Sequence, residues 1–470
     1  MFIGRAEELK SLVKLYGVEG FQMAVLYGRR RVGKTSLMAE FCKDKKHIFY
    51  VAIEQNDKAA LRSFSEKIFD QFPEASAYAD TFGSWELAFR YIAERARTER
   101  VILAIDEYPY LASGNPAISS ILQRSIDTEM QDSQLFLMLC GSSMSFMENQ
   151  VLGYKSPLYG RRSAQYRIEA FDYLDSAAFF PAWSDEDRLI AYGVTGGIPQ
   201  YLSFLARQES IDEAILSNFF DPTGPLYEEP SSLLKQELRE PALYNSIVAA
   251  IATGASRQNE IATRVGEETN KCAKYLKVLA DLRIVRKEFP YGEKTAKKAV
   301  YTVEDTLFRF WYRFVQGNVS NIEAGMGGDA YRRRVRPGLS AYMGKVFEEV
   351  CQQYVMRAHR AKKLPLWIDG IGRWWGNNPA LRKEEEIDLV ATGDDAALFG
   401  ECKWRNEPTG GDIFDELIRR SMLLPACQKR YYMLFSKAAF TNGLLQRIHM
   451  REDTALISLR DLFAVVSAEK

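Results

Sequence analysis

The stretch GRRRVGKTS places four residues between Gly28 and Gly33 and follows the second glycine with Lys34, Thr35 and Ser36. That spacing suits phosphate chemistry. The glycines let the backbone turn so that amide groups face an anion, Lys34 reaches the β and γ phosphates of a nucleotide, and the Thr35 hydroxyl serves Mg²⁺. Gly28, Arg29, Arg30, Arg31, Val32, Gly33, Lys34, Thr35 and Ser36 are therefore all candidate nucleotide contacts. In VILAIDEY, Asp106 suits the outer coordination sphere of Mg²⁺ and Glu107 is placed to polarise an attacking water. Ser142, in LFLMLCGSS, either senses a γ-phosphate or is a plain turn serine. In SPLYGRR, an arginine can stabilise charge on a phosphoryl transition state. The spacing does not choose between Arg161 and Arg162, nor between that role and a surface ion pair.

A second set of reactive side chains lies near the end of the chain, in EIDLVATGDDAALFGECKW. Strand alternation would put Ile387 and Leu389 on one face and Asp388 with Val390 on the other; Glu401 and Lys403 would share a face that Cys402 leaves. Two carboxylates on neighbouring strands can hold a hard ion such as Mg²⁺ or Mn²⁺, and a nearby lysine can orient or deprotonate water. In GKVFEE, Glu348 and Glu349 fall on adjacent faces of a helix, so only one can enter a shared site.

These residues need elements to hold them. QMAVLY, HIFYVAI, VILAIDEY and LFLMLCGSS are short apolar runs separated by helical segments, the pattern of a parallel sheet buried on both faces, with ligands at the carboxyl ends of its strands. The helix SLMAEFCK follows the glycine loop and points its positive end at the phosphates. From Phe171 to about Arg239 the pattern is helical, broken at GGIP and DPTGP. Three helices and a hairpin come next, a winged helix in outline: Ser256 is expected to cap the second helix, which turns at Gly266, and ETNKCAKYLKVLADL is a recognition-type helix. Lys294, Lys297 and Lys298 stand at the hairpin tip. Together with Lys271, Lys274 and Lys277 they suit DNA phosphates, or else the module packs internally and relays nucleotide state. The aromatic series Phe308, Phe310, Trp311, Tyr312, Phe314 reads as a buried interdomain helix, and AYRRRVRPG, ending in the helix-breaking Pro337, reads as a domain boundary.

At 470 residues the chain is long enough for about three domains. Its 62 basic and 62 acidic residues balance, so nucleic-acid binding must use local patches. No apolar run approaches the roughly 18 residues of a membrane span and the charged N-terminus is no signal peptide, which predicts a cytoplasmic protein with no membrane partner. Six scattered cysteines without CxxC and three histidines predict neither a disulfide framework nor a zinc site.

FIGRAEELKSL, GRRRVGKTSL, IDEYPYL, LCGSSMSFM, SPLYGRR and GGIPQYL, in that order, resemble the archaeal-type P-loop ATPases of the STAND class over roughly the first 310 residues. The resemblance implies an AAA-like, five-strand ASCE sheet with Glu107 as the catalytic carboxylate and Ser142 in the sensor position. It also implies Gly4 and Arg5 near the base, Arg161 as the arginine finger and Pro199 in the lid. FE, then ID, then ECK resembles the PD-(D/E)XK nuclease superfamily. It implies metal binding by Asp388 and Glu401, catalytic support from Lys403 and a helix carboxylate in Glu348. ATPase plus tail looks like an uncharacterised domain that accompanies these ATPases. The expectation is an α/β protein: ATPase domain 1–170, helical lid 171–239, winged-helix domain 240–315 and restriction-endonuclease-like domain 330–470. It would bind ATP, Mg²⁺ and DNA, self-associate through the finger, and use nucleotide state to control a metal-dependent tail. The alternative is an ATP-driven switch or scaffold whose tail binds DNA or a partner without cutting.

Overall fold

The apolar runs of the first third become five strands in the computed structural model, which describes residues 2–77, 80–238, 240–293 and 298–464. They are β1 (Gln22–Tyr27), β2 (His47–Val51), β3 (Val101–Asp106), β4 (Leu135–Gly141) and β5 (Ala164–Arg167), all parallel in the order β2-β3-β4-β1-β5. Every residue of β3 and β4 is buried, whereas β5 alternates as an edge strand should. Because β4 lies between β1 and β3, the glycine loop after β1, Asp106 and Glu107 after β3, and Ser142 after β4 emerge side by side at one edge of the sheet. One face of the sheet is cored by Phe64, Trp85, Phe89, Leu103 and Leu137.

The chain divides into two compact units, Met1–Phe171 with Ile198–Gln200, and Asp172–Gly197 with Tyr201–Lys470. The second unit begins with the helices expected of a lid, among them Asp185–Thr195, Ile211–Phe219 and Glu229–Glu237. Helices Pro241–Ala252, Gln258–Val265 and Thr269–Asp281 follow, with the antiparallel pair β6 (Val285–Glu288) and β7 (Val300–Val303) behind them. Ser256 is not the cap of Gln258–Val265. The Glu260 carboxylate reaches back instead and accepts from the Ser256 and Arg257 N–H groups, both at 3.1 Å. Gly266 ends the helix at φ 73°, as its lack of a Cβ permits. Lys294 and Lys297 lie outside the described residues; Lys298 pairs with Glu293 and Lys271 with Glu267.

The aromatic series is buried, and the Trp311 Nε1–H donates to the Tyr227 carbonyl at 2.6 Å. The basic run is helical, not a linker. Tyr331 and Val335 point inward at helical spacing while Arg332, Arg333 and Arg334 face out, and the segment runs straight into the 25-residue helix Arg336–Arg360. Pro337 does not break this run; it lies in the first turn of that helix, directly after the helical 331–335 segment.

The C-terminal sheet has the order β12-β11-β10-β9-β8, from β8 (Gly370–Asn378), β9 (Lys383–Gly393), β10 (Ala396–Lys403), β11 (Lys429–Ser436) and β12 (Thr454–Ser458). β8, β9 and β10 run antiparallel in turn, while β10, β11 and β12 are parallel. Helix Arg336–Arg360 covers one face through Phe347 on Trp404 and Tyr354 on Phe435; helix Gly411–Ser421 covers the other through Phe414 and Leu417. Strict alternation fails along β9. Ile387 and Val390 both enter the core under Gly411–Ser421, because Gly372 pairs with Val390 and Trp374 with Ile387, leaving Asp388 and Leu389 opposite Arg373 alone. That extra residue is a bulge, which turns Asp388 away from the face shared with Val390.

Candidate active site and a second acidic cluster

The glycine loop closes over its own carbonyls. Lys34, 5% exposed, donates from Nζ to the carbonyls of Gly28 and Arg29, each at 2.9 Å. Gly28 has no alternative at its position, because a Cβ there would lie 2.2 Å from the Ile168 carbonyl oxygen. Gly33 takes φ 86° at the start of helix Lys34–Cys42, which has no side-chain cap, so its first N–H groups are open to a ligand. Thr35 and Ser36 are exposed on that first turn, Val32 is buried, and Arg30 donates to the Tyr110 hydroxyl at 3.1 Å. Pro199 lies beside the loop, with its Cγ 3.8 Å from where a Cβ on Gly33 would be. Arg31 adopts φ 70° in the same turn.

The ends of β3 and β4 meet this loop. The Thr35 hydroxyl donates to Asp106 Oδ2 at 2.5 Å, and the other Asp106 oxygen accepts the Glu107 N–H at 2.9 Å. Glu107 holds the left-handed conformation, φ 51°, which a non-glycine residue keeps only when its surroundings demand it. Its Oε2 accepts from the Ser142 hydroxyl at 2.9 Å. Burial pulls the Lys34 ammonium below its usual range, against the opposing charges of Glu107 and Asp106, and burial raises the Cys140 thiol that lies against Asp106. The Thr35 and Asp106 oxygens are hard donors beside an open helix N-terminus, and they fit Mg²⁺.

Arg5 is tied to the loop from the other side. Its guanidinium donates to the Val32 carbonyl at 2.9 Å and to the Glu169 carbonyl, and stacks 4.4 Å over Phe171. Gly4 stands next to it at φ 70°. Arg161 is engaged elsewhere: it makes a bidentate pair with Asp127 at 2.7 and 2.6 Å and bonds the Pro157 and Tyr159 carbonyls. Arg162 donates to the Leu152 carbonyl.

In the second unit Asp388 and Glu401 are both buried, and the Cys402 N–H donates to Asp388 Oδ2 at 2.9 Å. Burial and the neighbouring Glu401 raise the Asp388 carboxyl to about 6. Lys403 does share a face with Glu401 and bonds it at 2.6 Å; burial depresses its ammonium, but the Glu401 charge wins and raises it. Arg420, from helix Gly411–Ser421, reaches the same carboxylate at 3.2 Å. Glu348 and Glu349 separate as helical geometry requires: Glu349 pairs with Arg309, while Glu348 pairs with Lys345 at 2.9 Å and Arg373 at 3.2 Å.

The expected metal set of Asp388, Glu401 and Glu348 is not assembled. Among the described residues no group of three or more His, Cys, Asp or Glu side chains is close enough to hold a metal ion. Lysines and arginines of the same chain take the carboxylates instead. Arg373, Lys345 and Arg420 carried no sequence signal beyond being charged residues in amphipathic elements; only the fold brings them here. Asp388 and Glu401 remain a two-carboxylate donor pair, short of a complete set.

Comparison with known proteins follows the same division. A family model described as an ATPase domain predominantly from Archaea matches residues 2–205, and one described as Archaea bacterial proteins of unknown function matches residues 311–420. An uncharacterised protein of Methanocaldococcus jannaschii is 32% identical over 447 residues, 93% of this chain and 96% of its own length. An uncharacterised ATP-binding protein of the same organism is 46% identical over 46 residues, 10% of this chain and 78% of its own. Among solved structures, the Walker-type ATPase of Pyrococcus abyssi superposes with a TM-score of 0.51 at 19% identity, over 66% of this chain and 96% of that one, a likeness of fold alone.

Proposed function

The chain belongs to the archaeal ATPase family that joins an ATPase domain to a C-terminal domain of unknown function and is an ATP-binding ATPase, and we propose that its nucleotide state controls a nuclease-like tail acting on DNA. In the first site Lys34 leaves its loop carbonyls for the β and γ phosphates, and the open N-terminus of helix Lys34–Cys42 receives their charge. Thr35 and Asp106 would hold Mg²⁺, which would supply charge neutralisation to the phosphates. Glu107 orients the attacking water and takes its proton. Ser142 holds that carboxylate until a γ-phosphate competes for the hydroxyl. Arg5, anchored on Val32, couples the loop to the N-terminal segment near the base. Arg161 acts as a finger only in an assembly that draws it from Asp127, so its role and self-association stand together.

One observation carries the control of the tail. Arg373 pairs with Glu348 and also, at 3.5 Å, with Glu288 of β6, while the Tyr291 N–H donates to the Arg373 carbonyl at 2.7 Å. The three-helix and hairpin module, read as a winged helix, is thus bonded to the bulge that carries Asp388. Movement of the hairpin would release Glu348 to join Asp388 and Glu401 around Mg²⁺ or Mn²⁺, with Lys403 orienting water. This role agrees with an internal relay better than with a module free to bind DNA. The second reading, a switch whose tail binds DNA or a partner without cutting, is favoured by the cations already seated on Glu401 and Glu348.

Cleavage of single- and double-stranded DNA and of RNA, with Mg²⁺ or Mn²⁺ and with or without ATP, tests the proposal. Wild-type cleavage of DNA that depends on nucleotide and is lost in Asp388→Ala supports it. No cleavage under any of these conditions removes the nuclease reading and leaves the switch.

A further inference from the structure

At the opposite end of the β9–β10 hairpin from Asp388 lies a cleft of about 600 Å³, formed by the end of helix Arg336–Arg360, the segment 362–367, the hairpin turn and the start of β11. Six residue steps, mostly along extended strand, take the chain from Asp388 to Asp394, roughly 20 Å, so this is a separate place. Trp367 forms one wall. It is 60% exposed, with the His359 ring edge-on at 4.7 Å. Indole is costly to leave in water, and a ring held this way offers a flat apolar face.

Four charged residues line the same cleft: Lys362 and Lys429, and Asp394 and Asp395 at the turn. Among the described residues none of them is in an ion pair, unlike the acidic cluster at the other end of the hairpin. Their positions are fixed by the main chain. Lys362 takes φ 56° and its N–H caps the His359 carbonyl at 2.9 Å, while Asp394 and Asp395 take φ 48° and 58° and the Asp395 carbonyl accepts the Gln428 N–H at 3.0 Å. A ring platform, two cations and two carboxylates in one cleft match three parts of one ligand: an aromatic base that stacks, a phosphate that pairs with ammonium groups, and a diol that bonds a carboxylate. The volume falls in the range that encloses small ligands.

We propose that this cleft binds a nucleotide of monophosphate size, with its base on Trp367, its phosphate on Lys362 and Lys429, and its ribose diol on the Asp394–Asp395 turn. The tail then has a ligand site of its own, separate from the phosphate loop. Equilibrium binding of radiolabelled AMP and UMP to the full chain carrying Lys34→Ala tests it, with adenosine and inorganic phosphate as separate probes. The expected result is one equivalent of nucleotide per chain, weakened about tenfold by Trp367→Ala and kept by Trp367→Phe. Lys429→Ala weakens it independently, and adenosine and phosphate alone bind less tightly. Trp367→Ala in the otherwise native chain leaves ATP hydrolysis unchanged. Absence of saturable binding, binding indifferent to both Trp367→Ala and Lys429→Ala, or phosphate binding as tightly as nucleotide would each overturn the proposal.

Discussion

The two clusters of reactive residues are built in opposite ways. At the phosphate loop the groups offered to a ligand are main-chain amides and one lysine from nine consecutive residues, and both acidic partners, Asp106 and Glu107, come from the end of a single parallel strand, β3. Lys34 there rests on carbonyl oxygens, which a phosphate readily displaces. In the tail every acidic group is a side chain on a different element, and Glu401 and Glu348 are each held by two cations. The first site is open to its ligand. In the second, ion pairs with Lys345, Arg373, Lys403 and Arg420 occupy the carboxylates, so a metal could enter only by displacing them.

The contrast is most strongly tested at Glu107. Glu107→Gln should cut ATP turnover by roughly 10²–10⁴ while leaving nucleotide binding intact, read by single-turnover hydrolysis beside equilibrium binding. Lys34→Ala should lower turnover by about 10²-fold or more and remove binding as well; equal turnover in both variants and wild type would end the assignment of this site.

In the tail the effect is on stability. Burial, with the neighbouring Glu401, raises the folded Asp388 carboxyl to about 6, above the ordinary 3.8, so the folded state favours the proton. The charged carboxylate therefore costs nothing below about pH 4, and the full cost is present above pH 6. Asp388→Asn keeps an acceptor for the Cys402 N–H and should stabilise the tail by about 1–3 kcal/mol at pH 8, with little gain near pH 4, measured by urea unfolding at the two pH values. Destabilisation at both would mean that Asp388 and Glu401 do not oppose one another.

Smaller changes sharpen the difference further. Arg373→Met should remove one of the two cations on Glu348, leaving Lys345, and tighten Mn²⁺ binding at the tail several-fold, followed by calorimetry in the Lys34→Ala background. Ser142→Ala should alter ATP turnover by only a few-fold, since it releases Glu107 without removing it.

The legibility of the two sites differed for the same reason. The convergence of Gly28 to Ser36, Asp106 and Glu107 at one edge of the sheet could be read in advance because backbone conformation and strand ends impose fixed residue types at fixed spacings. The same logic found the shared face of Glu401 and Lys403. It failed along β9, where the bulge opposite Arg373 breaks the period of two, and at Pro337, where a residue read as a terminator lies in the first turn of the long helix. It also failed for Ser256, whose capping role is taken by Glu260 four residues on.

What the sequence by itself determined is the phosphate loop, its parallel sheet and the identity of the tail's candidate acids, all consequences of local pattern. What only the tertiary structure decided is the state of those acids. Whether Asp388, Glu401 and Glu348 meet a metal or a cation depends on Arg373 and Arg420, which arrive from a neighbouring strand and a later helix. Coulombic attraction acts through space and leaves no period in the chain to read.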